Sequence, residues 1–392
     1  MKHGAEVFAA ALVLGAALRV VAYRLPGSPD VPIFNAWSHY AAADGVGRLY
    51  GTGGRFPERR VLEYGGIRTK VDYPPLALYE LGAAPAKTLA FAGDALLAGI
   101  LYMFARRRFA DGAPRRAVIA FWLNPAVILL GAVLGYLDVL YLAPAVAALL
   151  CALEGHAALA GILFSAACLT KPLGIFVAPA IVLALQAPRS RRTFAVAAVA
   201  GGLLIVLPVI VAGGFLNMVW GVGSLLRDPF LSGAAANAWW LAPPLAAHAS
   251  LDVLRIAGAA MTVLAIGWAI RRTGRTPDAC ALAALAGFSI HAYAVLAVSV
   301  HENHLAGALP FLALASAAER RFAPVLATVS AIAALNMNVF YGLGIGVGWA
   351  FPRMIGPVDV MIALAVANVA AFAWHAAVAF TRRPSPARPL PV

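Results

Sequence analysis

The chain has 392 residues, of which 62% are hydrophobic and 12% charged, with a formal net charge of +13. Apolar runs that recur from end to end exclude an ordinary soluble domain. The basic residues stand in short clusters between those runs, where membrane insertion and anionic headgroups account for them, so no nucleic-acid partner is implied.

Lys2 precedes an apolar run that could pass for a signal peptide. The run continues to about Leu25, holds Arg19 and has no small-x-small cleavage site behind it, so it reads as a first span. Runs able to cross roughly 30 Å of hydrocarbon predict an all-α polytopic membrane protein with about 12 transmembrane helices. They cover 5–25, 87–106, 114–131, 138–154, 156–170, 172–187, 193–214, 244–270, 278–299, 304–318, 323–339 and 356–380. Cys151, Cys168 and Cys280 lie in or beside apolar runs without metal spacing and read as packing residues.

Arginine clusters orient the spans. Those at 106–108 with Arg115 and Arg116, at 189–192, at 271–275, at Arg320 and Arg321, and at Arg382 and Arg383 fall on the side of the N-terminus. A multi-pass plasma-membrane protein with both termini cytoplasmic follows. The first loop, 26–86, lies outside yet carries Arg48, Arg55, Arg59, Arg60, Arg68 and Lys70. Its charge either meets something anionic or is neutralised by Glu58 and Glu63. Within it, Pro74 and Pro75 start an interfacial helix over 75–86.

This topology collects scattered polar residues on the external face: Asp30, Trp37, the DYPPL turn with Asp72 and Tyr73, Tyr136 and Asp138, Lys171, the 215–243 loop with Trp239 and Trp240, the SVHENHL segment, and Arg353. Lys171, a lone external lysine in LTKPLG, reads as functional, with snorkelling to headgroups as the alternative. His301, Glu302 and His304 stand at a span boundary where apolar residues would insert more easily. Phosphate binding or orientation is the preferred reading. A metal site is the alternative, although HxxH lacks the HExxH spacing that puts two ligands on one helical face. Asn237, Trp239 and Trp240 are read equally well as substrate contacts or as an aromatic belt. Asp94, deep in its span, reads as an interhelical partner, and Asp252 with Arg255 as a pair on one helix face.

An acid after the first span, the DYPPL turn, an NPA segment (Asn124–Ala126), the KP turn, NAWW and a VHENH span end, in this order, resemble the GT-C superfamily of membrane glycosyltransferases. Dolichyl-phosphate-glucose-dependent glucosyltransferases and bacterial polyprenyl-phosphate-sugar-dependent transferases are the similar members. The resemblance implies a catalytic module over 1–214, including the external loop and its interfacial helices, and a variable module over 215–392. It implies a polyprenyl-phosphate sugar as donor, a hexose or pentose with mannose or glucose favoured, and a glycolipid or glycan acceptor. By the same resemblance Asp30 is the general base and His301 with Glu302 matches the family's His-Glu pair; the next position, often basic in the relatives, is Asn303 here, so binding of the donor phosphate falls to the available cations Lys171, His301, His304 and Arg353. Trp37, Asp72, Tyr73, Asp138, Trp239, Trp240 and Glu302 are expected to contact substrate. Asp30 is a single acid, followed by Val31 and Pro32 where several relatives carry a paired acid, so no metal cofactor is favoured, with a divalent metal as the alternative. A lipid-linked-sugar transporter or flippase and a membrane glycan polymerase or ligase are the alternative classes.

The residues fit that chemistry. Transfer from a phosphate-linked sugar needs one base for the acceptor hydroxyl and cations for the departing phosphate, but no general acid. One carboxylate without a second as nucleophile points to inversion.

Overall fold

The computed structural model describes residues 2–51, 60–224, 228–242 and 248–381. Arg55, Glu58 and Arg59 of the first loop, and Arg382 and Arg383, lie outside the described residues.

Helix α1 spans Lys2–Tyr23 and α2 spans Asp30–Asp44. A short antiparallel hairpin follows, β1 (Leu62–Tyr64) and β2 (Ile67–Thr69), turned at Gly65 and Gly66. Both glycines take positive φ, 59° and 79°, as a two-residue hairpin turn of this hand requires. Helix α3 (Pro75–Ala83) starts where the prolines predict, with Pro75 in its first turn, where a missing N–H costs nothing. Then come α4 (Ala86–Arg108), α5 (Ala113–Trp122) and α6 (Pro125–Ile128). Asn124 caps α6, its Oδ1 accepting from Ala126 N at 3.0 Å and from Ser330 Oγ at 2.7 Å. The NPA segment is thus the joint at which the chain bends by 49° between two halves of one span.

Helices α7 (Asp138–Leu153) and α8 (Ala157–Thr170) form a hairpin, followed by a 3-10 turn at Pro172–Val177 and α9 (Ala178–Ala184). Helix α10 (Pro188–Val211) packs on α8 so closely that a Cβ at Gly161 would stand 2.3 Å from Phe194 O. Such small-residue contacts are how membrane helices approach in the absence of a hydrophobic drive between them. The remainder is α11 (Phe215–Ser224), α12 (Leu251–Thr273), α13 (Ala279–Leu296), α14 (Leu309–Ala318), α15 (Ala323–Tyr341) and α16 (Val360–Phe380).

Among the described residues seven helices are long and apolar enough to cross a membrane, or eight if the bent pair is one span. The protein is therefore multi-pass. Of the twelve expected spans, those at 138–154, 156–170, 172–187 and 304–318 coincide with helices of 10–17 residues, shorter than a full crossing. They are short because polar turns at Tyr136, Lys171 and His301–His304 interrupt them at one end of the bundle. The most apolar part of α13 is 83% buried, whereas the corresponding stretches of α1, α10 and α12 are 22% buried. Helix α13 is the central post, and the other three present valine and leucine outward as a lipid-facing wall does.

Several polar side chains inside the bundle are paired across helices. Arg19 on α1 donates to Asp94 on α4 at 2.8 Å and to Trp122 O at 2.7 Å, with its guanidinium 3.9 Å from the Trp122 ring. Asp94 is thus the interhelical partner its position predicts. Asp252 and Arg255 pair at 2.7 Å. At the end of the bundle bearing the arginine clusters, Arg107 meets Glu154 at 2.5 Å and Arg116 donates to Ala317 O at 2.7 Å.

Candidate functional site

The polar turns at the other end surround a cavity of about 950 Å³. Asp30 enters it from the first turn of α2, and Asp72, Tyr73, Pro74 and Pro75 from the turn before α3. Tyr136 comes from the turn before α7, Lys171 from the end of α8, and His301–His304 from the segment between α13 and α14. These five stretches, separated by up to roughly 270 residues in sequence, thus converge on one space, the physical consequence of folding helical hairpins whose turns alternate between two ends.

The walls differ in character. Phe34, Trp37 and Tyr73 form one, with Trp37 and Tyr73 ring centres 5.4 Å apart and Phe34 within 5.6 Å of Trp37. Trp37 is almost wholly buried, and its Nε1 has no hydrogen-bond partner among the described residues. Leu169, Leu173, Ile175, Met218, Val219 and Val222 form an apolar flank. Ile175 and Val219 also lie half exposed on the outside of the bundle.

The charged groups are held by one another. Lys171 Nζ donates to Asp138 Oδ1 at 2.8 Å, and Asn303 Nδ2 donates to Asp138 Oδ2 at 2.8 Å. Asp138 is fully buried behind these partners and does not itself line the cavity. Glu302 is also buried. Its Oε1 accepts from Tyr136 Oη at 2.6 Å, and its Oε2 has no partner among the described residues. His304 Nδ1 lies 3.2 Å from Tyr293 Oη, and His301 Nε2 lies 3.3 Å from Asp228 Oδ2.

Asp30 is partly buried, and burial raises its carboxyl above the ordinary value, while His301 and Lys171 pull it down and Asp138 adds to the rise. Burial likewise raises Glu302, against the Tyr136 hydrogen bond and the His301 charge. For His301 burial works against the charged form, but the hydrogen bond to Asp228 and the charges of Glu302 and Asp228 outweigh it, so its pKa is raised.

Three expected site residues stand elsewhere. Trp239 is buried, with Nε1 donating to Leu296 O at 2.9 Å. Arg353 pairs with Asp359 at 3.2 Å, and its guanidinium stacks 5.2 Å from the Trp240 ring. None of the three lines the cavity, because each is committed to joining the strand-like loops to α13 or α16. Sequence inspection in turn passed over Asp228, Phe230, Tyr293 and Tyr341, all of which line it. For Asp228 a signal was present: an acid in RDPF, on the same face as the other polar turns.

A multi-pass helical bundle with a cavity that has one apolar flank and a ring of carboxylates, lysine and histidine fits a membrane enzyme. The profile of glycosyltransferase family 87 matches residues 73–299, more than half of the chain. The protein belongs to that family, a membrane glycosyltransferase family with GT-C-like character, and so uses a sugar donor and an acceptor. No curated protein matches the chain.

Proposed function

We propose that the protein is a GT-C-type transferase that moves a hexose or pentose, with mannose or glucose favoured, from a polyprenyl-phosphate donor to a glycolipid or glycan acceptor. The reaction takes place at the external face of the plasma membrane, with both termini cytoplasmic. One observation carries this reading: Asp30, Lys171 and His301 line a single cavity whose remaining flank is apolar and reaches the outside of the bundle at Ile175 and Val219. A lipid-linked phosphate has that same division, a charged head on an apolar chain.

Asp30 takes the proton from the acceptor hydroxyl. The oxygen then bonds to the anomeric carbon from the face opposite the phosphate as the bond from that carbon to the phosphate oxygen breaks, so configuration inverts. The electron pair leaves on the phosphate, whose growing charge Lys171 and His301 offset and to which the buried His304 ring can donate a hydrogen bond. Lys171 and His301 supply positive charge without a metal cofactor. Trp37, Asp72 and Tyr73 bound the sugar. Glu302 is placed against the same space and held by Tyr136.

Purified protein is given radiolabelled polyprenyl-phosphate mannose, glucose or arabinose together with a membrane lipid extract, with and without EDTA. Nucleotide sugars serve as the contrasting donors. Label appearing in a new product from a polyprenyl-phosphate donor supports the reading. Transfer from a nucleotide sugar alone rejects it, and loss of transfer in EDTA rejects the metal-free form.

A further inference from the structure

Residues 228–242 run beside the cavity as a strap fastened by buried polar side chains from the C-terminal helices. Asn336 on α15 donates to Ala234 O at 2.7 Å and accepts from Ala236 N at 2.7 Å. Asn368 on α16 donates to Ala236 O at 2.7 Å. Ser299 Oγ is shared between Asp228 O at 3.1 Å and Phe230 O at 3.0 Å, and His301 bridges to the backbone of Gly233 and Ala234. Ala234 and Ser299 are non-glycine residues at φ 66° and 59°, backbone forms that persist only where surrounding contacts over-determine them. So much fastening fixes the start of the strap, where Asp228 and Phe230 stand on either side of the His301 ring. Asp228 Oδ2 is 3.3 Å from Nε2, and Phe230 meets the ring edge-on at 5.8 Å.

A carboxylate can only accept, so Nε2 carries the proton in this contact. The other groups around the imidazole are mixed in sign. Glu302 and, across the cavity, Asp30 favour a cation, whereas Lys171 opposes one, and the buried His304 ring lies 5.6 Å away. Arg255 also reaches this corner, but it is spent on Asp252 and on the Asp228 carbonyl. Asp228 is the carboxylate in direct contact with the ring.

We propose that Asp228 is a positioning residue for His301, fixing the imidazole's orientation and holding its second proton so that a cation faces the donor phosphate. This rests on the assignment of His301 to the phosphate-binding set. It also gives the 215–392 region a part in the chemistry: Asn336 and Asn368 hold the strap, the strap holds Asp228, and Asp228 holds His301.

The test is kcat/KM for the polyprenyl-phosphate sugar as a function of pH in wild type, Asp228→Asn, Asp228→Glu, His301→Arg and the Asp228→Asn/His301→Arg double variant. Wild type declines on the alkaline side as His301 loses its proton. Asp228→Asn should move that decline about one pH unit lower, the usual effect of losing an adjacent opposite charge. It should also raise donor KM several-fold at neutral pH with acceptor KM unchanged, and Asp228→Glu should restore both. In His301→Arg the alkaline decline should vanish, and adding Asp228→Asn should then shift nothing. A decline unmoved by Asp228→Asn, whatever its melting temperature, overturns the proposal while leaving the role of His301 intact, as does an equal effect in the arginine background. A wild-type decline persisting in His301→Arg removes His301 from phosphate binding and the proposal with it.

Discussion

Lys171 and Asp138 form an ion pair at 2.8 Å with side chains 8% and 0% exposed, joining the end of α8 to the start of α7. Asp138's second oxygen is taken by Asn303, so one buried carboxylate ties together three of the turns that line the cavity. A charge this deeply buried is tolerated only while paired.

Breaking the pair from one side should therefore be costly. Lys171→Met or Asp138→Asn alone should lose roughly 3–5 kcal/mol by leaving a buried charge uncompensated. The double variant should recover much of that loss in denaturation midpoint. Recovered stability without recovered transfer would show that the Lys171 ammonium serves the reaction as well as the fold. Recovery of both would remove Lys171 from the phosphate site.

The bundle was legible in the sequence because long apolar runs have few alternatives, and every expected span coincides with a helix or a bent helix pair. Crossing length was overestimated where polar turns cut the helices short, as at Lys171 and His301. The convergence of Asp30, the DYPPL turn, Lys171 and VHENH was legible through the alternation of ends. Pairings were not. Nothing in local spacing says that Tyr136 meets Glu302 across 166 positions, that Asp138 faces inward to Lys171, or that Arg353 turns to Asp359 and Trp240. The Gly65–Gly66 hairpin was signalled by its flanking strand residues and overlooked among the loop's arginines.

Tyr136→Phe should leave Glu302 without its hydrogen bond in a buried site, at a cost of about 1–3 kcal/mol. Glu302→Gln keeps an acceptor for the Tyr136 hydroxyl and removes the charge, so its stability should stay near that of wild type. Thermal melts in detergent compare the two. Equal losses would contradict the hydrogen-bond assignment.

The base must be deprotonated to act, so activity rises with pH through the Asp30 pKa. Because burial raises that pKa, the acid limb of kcat/KM should lie above the ordinary carboxylate value of 3.8. His301 is the leading influence pulling it back down, so His301→Gln should move the acid limb further up in whatever activity remains. A limb that moves down would reverse the sign of that coupling.

Arg353 is 53% exposed at its side chain and paired with Asp359 away from the cavity. Arg353→Ala should change donor KM by less than about twofold and stability by less than about 1 kcal/mol, as for other exposed ion pairs. A tenfold rise in donor KM would bring Arg353 back to the phosphate.

The most direct measurement is label transfer from polyprenyl-phosphate sugar by Asp30→Asn beside wild type, with donor binding followed in parallel. The Asp30 side chain is partly exposed and near-isosteric with asparagine, so the variant should fold and bind donor as wild type does. Its turnover should fall by roughly 10²–10⁴, the range a positioned base contributes. Turnover within a few-fold of wild type, with donor bound, would contradict Asp30 as the base.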